Sequence, residues 1–316
     1  MNFFIITSTK DLASQNIKNI LIENFPFKKI NFEIFNFSSE KNIINAYILE
    51  NEKKEQNIIL IETNSELIFF DTDLLENINF EKNNFESNLN IKPDYLIFAS
   101  KHQSKSNEKT LSVHYTGNFS KAEYGGIEGK FSKTDPLLMK IIFNNLNKNS
   151  ETLKKEFNIT LEATHHGPYS EKPLLFIEIG STKDEWQNQE AGFVISKTII
   201  DSIKNFYEIK DKKKDNIIND AKDTKKEKIA LCFGGLHYCS NFNKILLNPD
   251  LSSKILISHI CPKYNIKNLN IEKLENLKRS ADKIDFALLD WKGLSSEDKK
   301  FLLPLLEKSN LSFEKI

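Results

Sequence analysis

The chain has 316 residues, 39% of them hydrophobic and 24 of them Phe, which supports a sizeable core and excludes a chain disordered throughout. Its 44 Lys and Arg balance 44 Asp and Glu, which excludes a uniformly basic protein that coats nucleic acid but leaves room for a local basic face. Arg279 is the one arginine, so any phosphate contacts fall to Lys ammonium groups, backbone N–H groups and hydroxyls rather than to a bidentate guanidinium.

Short apolar runs broken by polar or glycine-containing turns set the pattern of elements. Residues 3–6 predict a strand, after which Asp11 reads as the N-cap of a helix to about residue 24. Strands are predicted at 58–61, 67–70 and 95–99, the last ending in Ser100-Lys101-His102. The Asn-rich stretch 76–93 reads as a loop, and the apolar run 111–115 carries His114. Asp135-Pro136 pairs an N-cap with Pro at the first helical position and opens a helix through residue 146. Residues 159–163 alternate and run into Thr164-His165-His166-Gly167-Pro168. The strand at 174–179 ends in Gly180-Ser181-Thr182, where Thr182 and Glu185 have capping-box spacing and open a helix to about residue 206. Residues 210–228 hold eight Lys and five Asp or Glu and read as a charged, solvated surface insertion. Strands at 229–233, 255–257 and 286–289 lead to Gly234-Gly235-Leu236-His237, Ser258-His259 and Asp290-Trp291-Lys292-Gly293. Near-continuous apolar strands alternating with helices predict an α/β fold, a largely parallel or mixed sheet flanked by helices. One domain over 1–316 is expected, with two closely joined lobes as the alternative.

Cys232, Cys239 and Cys261 are too few, and of the wrong spacing, for a disulfide framework, which points to a reducing, cytoplasmic setting. Although each of two cysteines sits two residues after a histidine (His237 and His259), buried core cysteines are the preferred reading over a four-ligand metal site. The apolar start is too short for a signal peptide, and no run approaches a membrane span, so no membrane association is expected.

The chemistry concentrates on the six histidines: His102, His114, His165, His166, His237 and His259. Five follow predicted strands, the place where open α/β sheets bind ligands, so a shared pocket is expected. The pair His165-His166 stands out, beside Glu162 and before a Gly-Pro turn. Glu162 and Glu178 end two strands adjacent in sequence, so either can orient an imidazole or act as a general base. We take His165, His166, Glu162 and Glu178 as the candidate catalytic set. The turns at Tyr124 to Gly129, Gly180-Ser181-Thr182 and Gly234-Gly235 offer backbone N–H groups to an oxyanion or phosphate. None matches a nucleotide-cofactor fingerprint. His165, His166, His237 and His259 are the candidate ligands of a metal, although no metal-binding spacing motif is present.

In order along the chain, several blocks resemble the signatures of the archaeal and plant type of D-aminoacyl-tRNA deacylase. They are Ser100-Lys101-His102-Gln103-Ser104 and Thr110-Leu111-Ser112-Val113-His114-Tyr115-Thr116-Gly117-Asn118-Phe119. Then come Glu162-Ala163-Thr164-His165-His166-Gly167-Pro168 and Phe176-Ile177-Glu178-Ile179-Gly180-Ser181-Thr182. Gly234-Gly235-Leu236-His237-Tyr238, His259-Ile260-Cys261-Pro262-Lys263-Tyr264 and Asp290-Trp291-Lys292-Gly293-Leu294 complete the series. The resemblance implies hydrolysis of the ester joining a D-amino acid to the tRNA 3′ end, a Zn²⁺ cofactor, and an architecture similar to peptidyl-tRNA hydrolase. A monomer that acts on tRNA rather than DNA is expected. Substrate contacts are expected from His102, His114, Thr116, Gly117 and Asn118, from Gly180, Ser181 and Thr182, and from Gly234, Gly235, His237, Lys263 and Lys292. The chain departs from the family pattern at Leu236, where the family has a third glycine, and at Cys239 and Cys261, which argues against cysteine ligands. Two other readings stay open from the residues alone: a metal-dependent hydrolase of a small ester, amide or phosphate, and a non-catalytic tRNA-binding module.

Overall fold

The structure is a computed structural model that describes residues 1–34, 42–50, 56–81, 91–218 and 227–316. Nine strands make a mixed sheet: β1 (Asn2–Ser8), β2 (Lys28–Ile34), β3 (Ile43–Glu50), β4 (Asn57–Thr63), β5 (Ile78–Glu81), β6 (Tyr95–Gln103), β7 (Thr110–Tyr115), β8 (Asn158–Leu161) and β9 (Leu174–Ser181). Their order is β5-β2-β3-β4-β1-β6-β9-β7-β8. The centre is parallel from β4 through β1 and β6 to β9, while β7 runs antiparallel to β9. A second, all-parallel sheet contains β10 (Lys228–Phe233), β11 (Ile255–Cys261), β12 (Phe286–Leu289) and β13 (Phe313–Lys315), ordered β11-β10-β12-β13.

The helices are α1 (Leu12–Asn24), α2 (Pro136–Asn149), α3 (Lys183–Trp186), α4 (Gln189–Ile218), α5 (Ser240–Leu247), α6 (Pro249–Ser252), α7 (Ile271–Lys278) and α8 (Ser296–Lys308). On one face of the large sheet, Ile97, Ala99, Val113 and Ile177 pack in one core with Ile17 of α1, Ile142 of α2 and Ile199 of α4. Ala230, Cys232 and Ile257 of the small sheet belong to that same core, so the two sheets are joined by shared apolar packing rather than by a linker. The opposite face buries Phe4, Phe98 and Phe176 with Leu67, Leu74 and Leu75.

Side chains alternate across a strand, and this alternation positions the functional groups. On β6, Ile97 and Ala99 face the helical core while Leu96 and Phe98 face the other, so Ser100 and His102 follow Phe98. On β9, Glu178 likewise follows Phe176, and on β7 His114 lies opposite Val113 and Tyr115. The register sets Ser100 and Ser112 beside Glu178, and His114 beside Phe176.

Several local expectations hold. Asp11 caps α1 by accepting the Ser14 N–H, and Asp135 caps α2 with Pro at its first turn. The capping box of Thr182 and Glu185 is present. The helix it opens ends at Trp186, however, and does not continue to residue 206. Asn16 of α1 donates to the carbonyls of Trp186 and Asn188, and the Asn188 side chain caps Ala191, so a second helix starts there. Residues 67–70, predicted as a strand, instead form a 3-10 turn at Leu67–Phe69. In the predicted loop 76–93, Ile78–Glu81 pairs as an edge strand with β2, and 82–90 lie outside the described residues. The stretch 210–228, expected as an insertion loop, is helical through Ile218, and its part at 219–226 also lies outside them. Among the described residues no helix is long and apolar enough to cross a membrane.

Candidate active site

A cleft of about 380 Å³ opens where the ends of β1, β6 and β9 meet the loops after β8 and β10. His102, His165, His166, His237 and Glu178 line it. Behind these lining histidines Glu162 is buried among imidazoles. Its Oε2 lies 2.9 Å from His237 Nε2 and 3.7 Å from His165 Nε2, and its Oε1 lies 3.2 Å from His102 Nδ1. These ring nitrogens approach off-axis, so neither Glu162 oxygen receives a directed hydrogen bond. Glu178 is set differently. Its Oε1 accepts a 2.5 Å hydrogen bond from Ser100 Oγ, and its Oε2 lies 3.5 Å from both His102 Nδ1 and His114 Nε2.

The backbone fixes which nitrogen each imidazole offers. His114, His165 and His166 each donate Nδ1–H to a carbonyl, those of Tyr115, Ala163 and Gly167. This tautomer leaves Nε2 as the free atom facing the cluster, the arrangement that orients metal-ligating histidines. Burial and the carboxylates then divide the charge. Burial works against a charged His102, but Glu162 and Glu178 outweigh it and push its pKa up to about 11. The same contest raises His114, through Glu178. Burial lowers His165 well below its usual range, with His114 and His166 adding to the effect. Burial and nearby His114 take His166 down to about 4. Burial alone favours the neutral acid at Glu162 and Glu178, yet the neighbouring imidazoles hold both carboxyls below the usual range.

The Glu162 oxygens without directed donors, and the Nε2 atoms of His114, His165 and His166 whose Nδ1 atoms are tied to carbonyls, suit a metal ion. The ligand atoms lie within 4.8 Å of one another in three sets: His114, His165 and His166; His102, Glu162 and His237; and His114, Glu162 and Glu178. His259, the fourth histidine expected as a ligand, stands apart. Its Nε2–H donates to Ser132 O, and its Nδ1 accepts from Thr164 Oγ1, both at 3.0 Å. Burial accordingly drops its pKa to about 4. His259→Ala should therefore lower stability by about 2 kcal/mol, the cost of leaving a buried carbonyl and hydroxyl unpaired. Its kcat should stay near that of the parent chain. Thermal melting beside single-turnover assays checks this, and a kcat loss without a melting shift would place His259 in the chemistry.

Other residues expected to touch substrate shape the site from behind. Thr116 Oγ1 bonds Ser132 Oγ and Pro168 O, Gly117 N–H donates to His166 O, and the Asn118 amide donates to Gly125 O. They brace the His165-His166 loop. Gly180 lies against Thr110 and His102 with no room for a Cβ, Ser181 donates to Glu108 O, and Thr182 is spent on its helix cap. Gly234 and Gly235 have positive φ and pack on Asp290, which fixes the turn carrying His237. None of these glycine turns lines the cleft. Lys263 is exposed at the start of the 3-10 helix Lys263–Asn268 after β11, and Lys292 is exposed in the turn after β12. All three cysteines are free and buried.

Sequence reasoning missed Tyr238 as a partner, whose hydroxyl lies 3.1 Å from His102 Nε2. It also missed Ser8, Lys10 and the Leu67-Ile68 turn as walls of the cleft. Tyr238 stood next to a flagged histidine, but nothing local marked the others.

Comparison with known proteins agrees with this geometry. The model of the family described as D-aminoacyl-tRNA deacylase matches residues 89–314. A D-aminoacyl-tRNA deacylase of Pyrococcus horikoshii is 33% identical over 314 residues, covering 98% of each chain. That of Pyrococcus furiosus is 34% identical over 312 residues, again covering 98% of each. A crystal structure titled as a conserved protein of unknown function superimposes with a TM-score of 0.74 at 27% identity, covering 100% of this chain and 95% of the other. With four of the signature histidines lining one cleft and the match spanning both sheets, the chain belongs to the D-aminoacyl-tRNA deacylase family.

Proposed function

We propose that the chain hydrolyses the ester between a D-amino acid and the 3′ end of tRNA, and that the histidine–glutamate cluster carries the reaction. The observation that supports this most is the buried Glu162 carboxylate, set against His102, His165 and His237, which line the cleft. His102, held charged by two carboxylates, puts positive charge where the oxyanion of the tetrahedral intermediate develops. His165 and His166 stay neutral, which leaves their Nε2 lone pairs available at the cleft. Glu178, oriented by Ser100, keeps His102 and His114 in place. Leu67, Ile68 and Phe176 give the cleft its apolar lining, against which the group at Cα is sorted by fit or clash.

Zn²⁺ is part of this proposal. His114, His165 and His166 would hold it through their Nε2 atoms, which leaves His102 as the charged group. Once bound it supplies a Lewis acid and lowers the pKa of water. In our reading the enzyme works on tRNA in the cytoplasm.

The deciding experiment follows amino-acid release from D-Tyr-tRNA and L-Tyr-tRNA. Release from the D ester should be faster by about 100-fold or more, the scale of a steric clash of a few kcal/mol. Equal rates would remove the chirality claim, and no release would leave a tRNA-binding module. Matching rates on free small esters would favour a general hydrolase. In the same assay, chelator-stripped protein should lose activity and regain it with Zn²⁺. Full activity after verified metal removal would overturn the zinc assignment.

A further inference from the structure

Two lysines at the cleft have no task in the chemistry above. Lys10 lies in the turn between β1 and α1, and Lys101 precedes His102 on β6; both line the same cleft as the histidines. Among the described residues neither ammonium is in an ion pair. The Lys101 Nζ sits 5.2 Å from the centroid of the Trp186 ring. Trp186 is itself buried, and its Nε1–H donates to His102 O at 2.9 Å, so one indole holds both the ammonium and the strand that presents His102. The neighbouring acid, Asp11, acts on the Lys101 ammonium only as a nearby charge, because its oxygens are turned to backbone donors. One oxygen accepts the Ser14 N–H and the other the Lys101 backbone N–H. The other acids on the cleft wall are Glu66, which is exposed, and Glu178, which is turned to Ser100, His102 and His114.

We propose that Lys101, assisted by Lys10, binds the phosphodiester on the 5′ side of the terminal nucleoside of the charged tRNA. This deepens the proposed function and rests on it. With the ester carbonyl at the histidine cluster, the terminal ribose comes next and its 5′-phosphate one sugar further out. A cleft of about 380 Å³ is at the small end of ligand pockets and has room for an aminoacyl ribose-phosphate but not for an acceptor stem. Unpaired ammonium groups on its wall supply the charge that such a phosphate needs, as point charges that tolerate a range of approach angles. In a chain with one arginine, lysine is the residue to do this.

The test compares two small esters, 2′(3′)-O-D-tyrosyl-adenosine and its 5′-monophosphate, with D-Tyr-tRNA as reference. The unaltered protein should prefer the phosphorylated ester. Lys101→Met keeps an unbranched chain over Trp186 and removes the charge. It should cut that preference about tenfold, mainly through KM, as expected for one charge-assisted contact. Lys101→Arg should retain most of the preference, and Lys10→Met should lose a smaller part of it. An equal proportional fall on both esters would make Lys101 a prop for Trp186 and His102 and overturn the proposal. So would an unchanged preference in Lys101→Met, or no preference in the unaltered protein. If the unaltered protein released nothing from D-Tyr-tRNA, the functional reading itself would fall, an outcome separate from these.

Discussion

Glu162→Gln should lower kcat on D-aminoacyl-tRNA by about 10²–10⁴-fold, the range for removing a positioned acid–base group, while the protein stays folded. The amide has nearly the same shape, so packing around the buried side chain persists. What it loses is charge. Glu162 faces His102, His165 and His237 from the centre of the cluster and is one of the two carboxylates that hold His102 charged. Without it, His102 should titrate below its value of about 11, because Glu178 alone remains to favour the imidazolium while burial still opposes it. Single-turnover kinetics gives the rate, and NMR titration of the His102 ring gives the shift. Both should appear together. A kcat within about tenfold of the parent chain would take Glu162 out of the chemistry, and an unmoved His102 would mean Glu178 alone sets its charge.

Gly167→Ala should damage both stability and activity, through packing rather than charge. A Cβ at this position would lie 2.2 Å from Gly126 N, 2.4 Å from Gly125 C and 2.6 Å from Ile68 O. All three are backbone atoms, so no rotamer change relieves the clash. The 67–69 turn and the 124–129 loop would have to move off the His165-His166 loop together. Overpacking of this kind costs about 3 kcal/mol, the upper part of its usual range. The turn that must shift carries Leu67 and Ile68, which line the cleft, and the loop that must shift receives the Gly167 N–H through Tyr124 O. Displacing His166 by about 1 Å is enough to cost on the order of 100-fold in kcat. Thermal melting and single-turnover rates measure the two effects. Normal melting and normal rates together would mean that the two loops yield freely.

The sequence by itself determined what is settled within a few residues. The caps at Asp11 and Asp135 and the capping box at Thr182 are contacts between a side chain and backbone two or three positions away, so their chemistry is written locally. The apolar runs gave the central strands for the same reason. The ordered signature blocks identified the family, because they record residue types without needing their spatial arrangement. Short-range reading went wrong where distant contacts overrode propensity. Residues 67–70 have strand-like composition but turn to bury Leu67 and Phe70 against Phe98 and Phe176. The helix after Thr182 breaks because Asn16, far away in sequence, takes the carbonyl of its last residue, Trp186, and that of Asn188 beyond it.

Only the tertiary structure decided which histidines work together. Six occur in similar settings, after or within apolar strands. Register across β6, β9 and β7 sets His102 opposite Gly180 and His114 opposite Phe176, so both reach Glu178 diagonally across the same face, and the docking of the small sheet on the large one carries His237 to Glu162. The same packing sends His259 elsewhere, to Ser132 and Thr164, with both ring nitrogens committed. A strand's side-chain period is two, so a one-residue change of register would have turned these groups to the opposite face. That choice depends on how whole sheets pack, and no window of sequence around a single histidine contains it.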